Sequence, residues 1–342
     1  FASCNKMETV DTMSTKSEIS IAPLNGGVAT RGVSTGTSFF ETYFNLDASG
    51  TTTGDPELLN QETVASTHTR SMQISSYLIP QNGEQGNYFV DKTFKQAEDI
   101  KVSPTCLVWR NFNKDNASEP IYWPVGGTLN FLAYSLSGEK GCSTVDAVWD
   151  ENDASSKVVL TVPGENAQND ILFSSAYGQQ SKNGASPVNM TFKHAQAWIQ
   201  FQLTGTANSH DSSSTHDYKP IAEIIHFQRI ELEDVYNAGV LTIENNKGNA
   251  KAKWDFTEET KSDIEVDNIY DVEELGTEIQ TLNMLIPEQK KTALVIYYTL
   301  GADDQELSYR FTTDQKTWLM GEKYIYKINI TTSEVTVEPK VT

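Results

Sequence analysis

The sequence predicts an all-β protein, and three observations lead to this prediction. Short segments rich in Val, Ile, Phe and Tyr recur along the chain, and many alternate apolar with polar residues as strands do. Clusters of Gly, Asn, Asp, Ser and Pro separate these segments and favour turns. Apolar residues at helical spacing are scarce, so we expect antiparallel sandwiches rather than alternating strands and helices.

The segments that predict strands share this β-branched and aromatic character. In chain order they are 38–46, 72–79, 106–112, 128–136, 158–162, 171–176, 188–203, 221–232, 240–243, 282–286, 293–300, 307–311 and 324–330. The acidic stretch 258–278 lacks this character, and we expect a short helix or a loop there. The polar, turn-rich stretch 178–187 marks a domain boundary, which divides the chain into sandwiches at 17–183 and 184–331.

Length and composition exclude several classes of protein. The 342 residues suffice for two domains, and 38% apolar with 10% aromatic residues is too rich for a disordered chain. The formal net charge of −20 argues against partners such as nucleic acid or an anionic membrane, which need clustered Lys and Arg. The longest apolar run, near 292–300, has the length of a strand, so no transmembrane helix is predicted.

The tetrapeptide Phe1-Ala2-Ser3-Cys4 is similar to the cleavage region of a bacterial lipoprotein signal. Small side chains fit the cleft of a signal peptidase, and Cys4 supplies the thiol that carries the lipid. The polar residues behind it suit a tether. We therefore interpret 1–16 as a lipoprotein N-terminus and tether, with Cys4 as the lipidation site and the cell surface as the location.

No catalytic or metal-binding motif emerges, so the chain is not interpreted as an enzyme and no cofactor is expected. GxxxxGK, HExxH and GxGxxG are absent, and Gly32-Val33-Ser34-Thr35-Gly36 has the letters of GxSxG but precedes a predicted strand instead of the helix that a nucleophile elbow needs. His210 and His216 share a polar loop but have no third ligand beside them. Cys106 and Cys142 either pair or remain free thiols; their spacing does not decide between the two. The aromatic run 121–124 either stacks on carbohydrate or packs on a sandwich core.

Four segments together resemble the fimbrillin superfamily, specifically its Mfa-like branch of pilus subunits. They are Tyr122-Trp123-Pro124 followed by 129–134 (LNFLAY), 170–176 (DILFSSA), 188–195 (VNMTFKHA) and 318–326 (WLMGEKYIY). The third segment leads into Gln196 and Trp198, where the family commonly has smaller or basic residues. The resemblance implies two transthyretin-like antiparallel β-sandwiches in tandem, export as an outer-membrane lipoprotein, and assembly into pili.

The resemblance also implies how subunits join. An arginine-specific protease removes the first strand of the N-terminal domain, and the C-terminal segment of another subunit fills the groove by strand addition. Within this chain, Arg31 is the predicted cleavage site because Gly26, Gly27 and Gly32 keep its loop flexible. Arg70 is the alternative, although cleavage there also removes the predicted strand 38–46.

Two segments of the chain share a pattern that fits such an exchange. Residues 17–23 (SEISIAP) and 333–339 (SEVTVEP) both read Ser-Glu-β-branched-Ser/Thr-β-branched-x-Pro, so each presents one apolar face. We interpret Ile19 and Ile21 as the removable strand. Val335, Val337 and Val341, within a donor segment at 332–342, are its mimic in the next subunit. We expect this donor face to be free in the monomer, so that Val335→Asp with Val337→Asp leaves the monomer's stability nearly unchanged.

The sequence therefore predicts a structural pilus subunit whose partners are other pilin subunits and the arginine-specific protease. The alternative is a tip adhesin or a monomeric surface lipoprotein that binds a host glycan or protein. The alternating segment beyond residue 330 favours a stalk subunit, because a tip subunit needs no donor strand.

Overall fold

The structure, a computed structural model, describes residues 17–25, 71–96, 109–113, 117–136, 143–150, 155–162, 171–180, 187–205, 225–266, 280–300, 306–331 and 334–341. The strands are β1 (Ile21–Asn25), β2 (Ser71–Ile79), β3 (Gly86–Gln96), β4 (Trp109–Phe112), β5 (Thr128–Leu136), β6 (Ser143–Asp150), β7 (Ser155–Val162), β8 (Ile171–Gln179), β9 (Val188–His194), β10 (Gln196–Gly205), β11 (Ile225–Tyr236), β12 (Gly239–Asn246), β13 (Asn249–Asp255), β14 (Lys261–Val266), β15 (Gln280–Pro287), β16 (Gln289–Lys290), β17 (Leu294–Leu300), β18 (Glu306–Phe311), β19 (Thr317–Trp318), β20 (Lys323–Ile330) and β21 (Val335–Val341). Within these ranges a single 3-10 turn, Glu258–Thr260, is the only helical segment.

The all-β fold class is thus confirmed, whereas β3, β6, β13 and β14 form where the sequence predicted no strand. β5 has the predicted bounds, and β20 begins one residue before its prediction. The acidic stretch from 258 forms the 3-10 turn and then β14, and its remainder at 267–278 lies outside the described residues. The predicted strand 38–46 also lies outside them.

The first strands form a closed sheet, here called the ring sheet, in the order β1-β4-β3-β2-β5-β8-β9. β1 closes it, because this strand pairs antiparallel with β4 on one side and parallel with β9 on the other. The ring encloses an apolar core of aliphatic and aromatic side chains. Its fully buried members include Ile19, Ile21, Met72, Ile74, Phe94, Trp109, Leu129, Phe131, Ala133 and Met190.

The second half of the chain forms two four-stranded sheets. The inner sheet has the order β15-β10-β20-β21, and the outer sheet has the order β14-β11-β17-β18. Alternate residues of β10 and β20 and of β11 and β17 meet in one apolar core. This packing of two sheets makes a β-sandwich, here called the second sandwich because it follows the ring sheet along the chain.

A fourth sheet joins the two halves of the chain, and we call it the cross sheet. Its order is β13-β12-β7-β6, so the hairpin β12–β13 from the second half pairs with β7 from the first half. Its apolar side covers the outward faces of β5 and β8 in a separate core. The indole N–H of Trp254 on β13 donates to the carbonyl of Ala195 at 2.7 Å and fastens the hairpin there.

The sheets do not divide the chain at residue 184. β9 follows the predicted boundary but belongs to the ring sheet, where it pairs with β1 and β8. The hairpin β12–β13 also follows the predicted boundary along the chain and pairs with β7, a strand that precedes it. Because β9 and β10 are separated by Ala195 alone, the chain passes from the ring sheet to the inner sheet without a linker.

Candidate functional site: the groove of β1 and the edge strand β21

The segment from Ser17 to Asn25 lies in a groove between two parts of the ring sheet. At its beginning, Ile19 N–H donates to the carbonyl of Ile121 at 2.7 Å, and Trp123 N–H donates to the carbonyl of Ser17 at 3.0 Å. An antiparallel bridge joins Glu18 to Tyr122 between these two bonds. The segment is therefore hydrogen-bonded before β1 begins.

Farther along, β1 runs parallel to β9. Ile21 lies opposite Val188, and each following residue keeps this register as far as Asn25 opposite Phe192. Ile21 also pairs with Trp109 of β4. β1 is therefore paired along its whole length on the β9 side and at its first residue on the β4 side, and such backbone pairing is also what holds a strand added to an open sheet.

Ile19 and Ile21 fill the apolar part of this groove. Both side chains are 0% exposed and belong to the core of the ring sheet. Burying an isoleucine side chain stabilises the folded chain by roughly 1.5–3 kcal/mol. The ring without this segment leaves a long apolar slot between β4 and β9.

One ion pair marks the beginning of the groove. Arg110 Nε lies 3.6 Å from a carboxylate oxygen of Glu18, and the two side chains are 24% and 22% exposed. Arg110 belongs to β4, which runs Trp109–Phe112 and alternates buried with partly buried residues. Sequence reasoning missed Arg110, because nothing in the local pattern indicates that β4 lies beside residue 18.

The segment that the sequence predicts as a donor is a strand of its own subunit. β21 pairs antiparallel with β20 from Tyr324 opposite Val341 to Ile330 opposite Val335. It is the edge strand of the inner sheet, so it has one neighbouring strand where β1 has two. Directly before it, Glu334 N–H donates to the Thr331 hydroxyl at 3.0 Å.

The expectation that the donor face is free in the monomer is wrong for its first residue. Val335 is 7% exposed and belongs to the core of the second sandwich, and Val337 packs against that core. Val341, by contrast, is 55% exposed. The reason is that alternation places Val335 and Val337 on the face that β20 already presents to the core.

The aromatic run 121–124 packs on the core. The Trp123 ring is 9% exposed and meets Phe131 edge to face, with 6.0 Å between centroids. Tyr122 is 39% exposed, and its carbonyl accepts a hydrogen bond from the Tyr88 hydroxyl at 2.6 Å. The run therefore forms the wall on which residues 17–19 are bonded.

Several predicted residues fall outside the part of the chain that the structure describes. These are Cys4, Arg31, Arg70, Cys106, Cys142, His210 and His216. Within the described ranges, no group of three His, Cys, Asp or Glu side chains is arranged to hold a metal ion. The same ranges contain no helix with the length and apolar character needed to cross a membrane.

A polar groove of about 400 Å³ lies beside β8, β9 and the β12–β13 turn. Tyr177, Gln179, Asn189, Lys193 and Lys247 are among its lining residues. The Tyr177 ring is 37% exposed, and Lys193 Nζ donates to the Ala250 carbonyl at 3.3 Å. Sequence reasoning did not identify this groove, because its walls come from strands about 70 residues apart in the chain.

Comparison with known proteins gives the family. The model of a family described as fimbrillin-like matches residues 91–342. The chain belongs to the fimbrillin-like family. This assignment confirms the resemblance on the four sequence segments, and the family is one of fimbrial and cell adhesion proteins.

Solved structures of fimbrial proteins are similar to this fimbrillin-like chain. A proposed cell adhesion protein from Bacteroides uniformis has a TM-score of 0.47 and 15% identity, covering 80% of this chain and 91% of its own. A fimbrial protein from Bacteroides vulgatus has a TM-score of 0.40 and 15% identity, covering 79% and 92%. The C-terminally truncated tip fimbrial protein Mfa3 from Porphyromonas gingivalis has a TM-score of 0.36 and 10% identity, covering 80% and 93%. No curated protein matches the chain.

Proposed function

We propose that this chain is a structural pilus subunit, without catalytic activity, that polymerises by protease-triggered donor-strand exchange. One observation carries the proposal: the segment that closes the ring sheet, Ser17–Pro23, and the segment 333–339, which leads into and forms most of the edge strand β21, share the pattern Ser-Glu-β-branched-Ser/Thr-β-branched-x-Pro. The partner is another pilin subunit, which is consistent with membership of a fimbrial family.

The first step of the proposed assembly is cleavage at Arg31, after β1 along the chain. Once cut, the segment that carries Ile19 and Ile21 is held only by its hydrogen bonds and apolar contacts, and it can leave. The empty groove then exposes the apolar slot to water. This cost, roughly 1.5–3 kcal/mol for each isoleucine, favours the binding of a replacement strand.

In the next step, the donor strand β21 leaves the edge of its own inner sheet and enters the groove of another subunit. In its own sheet β21 has a single neighbour and exposes Val341, whereas the strand in the groove pairs with β9 along its length and with β4 at the position of Ile21. Val335 and Val337 take the places of Ile19 and Ile21, each smaller by one methylene, which costs about 0.5–1.5 kcal/mol per site. Pairing with β9 and β4, together with the bonds that 121–123 offer to the beginning of the strand, offsets this loss and the loss of Val335 from its own core.

Paired cysteines test whether β21 leaves its own sheet, in a chain whose native cysteines are replaced with serine. Ile328→Cys with Val337→Cys places the thiols opposite each other in the monomer, because these residues pair in the inner sheet. Val188→Cys with Val337→Cys places them together only when a donor strand takes the register of β1. After cleavage, we expect the first pair to lose its intramolecular disulfide and the second to give a ladder of covalent oligomers on a denaturing gel. The proposal is rejected if the Ile328→Cys/Val337→Cys chain keeps its intramolecular disulfide after cleavage and the Val188→Cys/Val337→Cys chain remains a monomer on the gel.

Arg31→Ala tests the cleavage step. The variant should fold normally but should not form fibres in electron micrographs after treatment with an arginine-specific protease, because its first strand stays attached. Arg31→Lys is the matched control for charge and should fail in the same way, and Arg70→Ala should assemble. If Arg31→Ala forms normal fibres and Arg70→Ala does not, cleavage occurs at the alternative site.

Export as an outer-membrane lipoprotein is a further part of the proposal, supported by the tetrapeptide that ends at Cys4. A single lipid chain anchors a polar protein to a membrane surface. Cys4→Ala should therefore move the protein from the membrane fraction to the soluble fraction of the cell. An unchanged distribution removes Cys4 as the anchor.

The polar groove beside Tyr177 favours one second function, that of an adhesin that binds a host glycan or protein. An exposed ring next to amide and ammonium groups is a surface on which a sugar stacks and forms hydrogen bonds. A glycan array probed with the intact chain and with Tyr177→Ala tests it. Binding that disappears in the variant supports an adhesin, and no binding by the intact chain rejects it.

A further inference from the structure

The ion pair between Glu18 and Arg110 has a counterpart in the donor sequence. When 333–339 is aligned on 17–23, Glu334 takes the place of Glu18, directly after the serine. In the monomer Glu334 is exposed directly before β21, whereas the Glu18 side chain is only 22% exposed next to Arg110. The donor segment 333–339 thus repeats the glutamate of 17–23 as well as its two β-branched residues.

The apolar pattern alone does not define the register of a strand in this groove. A shift by one residue turns every side chain to the opposite face, so Val335 and Val337 exclude it. A shift by two residues keeps the faces. It places Val335 opposite Val188 in one direction, or Val337 in the pocket of Ile19 in the other.

The charge pattern distinguishes these registers. A shift of two residues presents Thr336 or Thr332 to Arg110 instead of Glu334. A shift of four presents Glu338, but it then places Pro339 where Ile19 N–H donates to the Ile121 carbonyl at 2.7 Å. Proline has no N–H, so that register loses a hydrogen bond of the groove. Only the aligned register combines a carboxylate at Arg110 with a donor at the next residue.

We propose that Arg110 determines the register of whichever strand occupies the groove, by pairing with Glu18 before cleavage and with Glu334 of a second copy afterwards. This inference rests on the proposed donor-strand exchange. The partner that Arg110 selects is a strand in which a glutamate directly precedes two β-branched residues spaced two apart. A partly buried cation without its carboxylate is unfavourable, so the pair disfavours strands and registers that lack the glutamate.

Register is measured with two cysteine pairs in the cysteine-free, cleaved chain. Val337→Cys with Val188→Cys reports the aligned register, and Val337→Cys with Met190→Cys reports the strand shifted by two, because Pro23 lies opposite Met190. We expect the aligned disulfide to dominate in the chain with native Arg110. Arg110→Gln and Glu334→Gln should each lower the ratio of aligned to shifted disulfide, by roughly three- to tenfold for one partly buried ion pair.

Matched variants make the result specific. Glu244→Gln removes an exposed carboxylate from β12, outside both the groove and the donor strand, and should leave the ratio unchanged. Arg110→Glu in an acceptor should be rescued by Glu334→Arg in the donor, in a mixture of the two chains. Because Glu334 is exposed in the monomer, its substitution tests the inference even where a change at Arg110 impairs folding.

The outcomes separate this inference from the function on which it rests. An aligned disulfide whose proportion is the same with and without Arg110 or Glu334 overturns the role of the ion pair while donor-strand exchange stands. If neither cysteine pair forms an intermolecular disulfide with native Arg110 and Glu334, donor-strand exchange itself fails, and the inference fails with it.

Discussion

Among single residues, Tyr326 shows how strongly the second sandwich depends on a buried polar contact. Its ring is 2% exposed, and its hydroxyl accepts a hydrogen bond from the indole N–H of Trp318 at 3.1 Å. Burial raises the pKa of the Tyr326 phenol to about 12, although the Trp318 hydrogen bond acts in the opposite direction. The phenol therefore stays neutral in the folded chain when an unfolded chain begins to ionise.

This shift predicts a loss of stability at alkaline pH. The folded pKa of Tyr326 lies above its ordinary value of 10.0, so the contribution is complete below pH 10 and is lost as pH rises to about 12. The contribution is on the order of 2 kcal/mol. Tyr326→Phe should cost about 1–3 kcal/mol at pH 7, because the Trp318 N–H loses its partner.

Unfolding of the two proteins by denaturant, at intervals between pH 7 and pH 11.5, measures both effects. The difference in unfolding free energy between wild type and Tyr326→Phe should shrink above pH 10. Other tyrosines with raised pKa values, such as Tyr88 and Tyr324, cancel in this difference. A difference that stays constant up to pH 11.5 contradicts the assigned pKa.

Among the elements, β21 differs most from its prediction: the sequence predicts a free donor segment, and the structure shows a strand paired with β20. Its alternating sequence predicts one apolar face but does not say which part of the fold, or which subunit, covers that face. The structure places it at its own edge, with Val335 inside the core and Val341 outside. In the proposed donor-strand exchange, β21 must first leave this edge and withdraw Val335 from the core.

Two substitutions in β21 should consequently differ. Val335→Asp should destabilise the monomer by about 3 kcal/mol or more, because it removes a buried valine and places a carboxylate in an apolar core. Val341→Asp, at a site 55% exposed, should change stability by roughly 0.5 kcal/mol at most. Thermal unfolding followed by circular dichroism measures both. Equal melting temperatures for the two variants contradict the observed placement of β21.

For the whole molecule, the cross sheet couples the two halves of the chain. The hairpin β12–β13 extends from the second half and pairs with β7, and its Leu241 and Ile243 are buried under the ring sheet. In addition, β9 leads directly into β10. Elements that share strands in this way unfold together, since neither half keeps its core when the other opens.

Calorimetry tests this coupling. The intact chain should show one heat-absorption peak, and Ile243→Ala should lower the temperature of that whole peak. The substitution removes a side chain that is 0% exposed, at a cost of about 2–5 kcal/mol. Lys251→Ala, on the exposed side of β13, is the control and should leave the peak in place. Two separate peaks, of which Ile243→Ala moves only one, contradict the coupling.

The sequence alone determined the fold class, the position of strands such as β5 and β20, and the family. Long alternating runs with β-branched and aromatic residues carry that information locally, because each strand displays its buried face in its own pattern. β13 escaped prediction since its alternation uses Ala250 and Lys residues, with Trp254 as the only large apolar side chain. The likeness of 17–23 to 333–339 was also visible in the sequence.

Only the tertiary structure decided what each pattern faces. It placed Arg110 beside Glu18, put Val335 in its own core, and carried β9 and the β12–β13 hairpin across the predicted boundary at 184. A strand's alternation states that one face is apolar, but the neighbour that covers this face lies far away in the chain. Which strands pair depends on residues far apart in the chain, because the native pairing is the one that gives the whole set of sheets its lowest free energy.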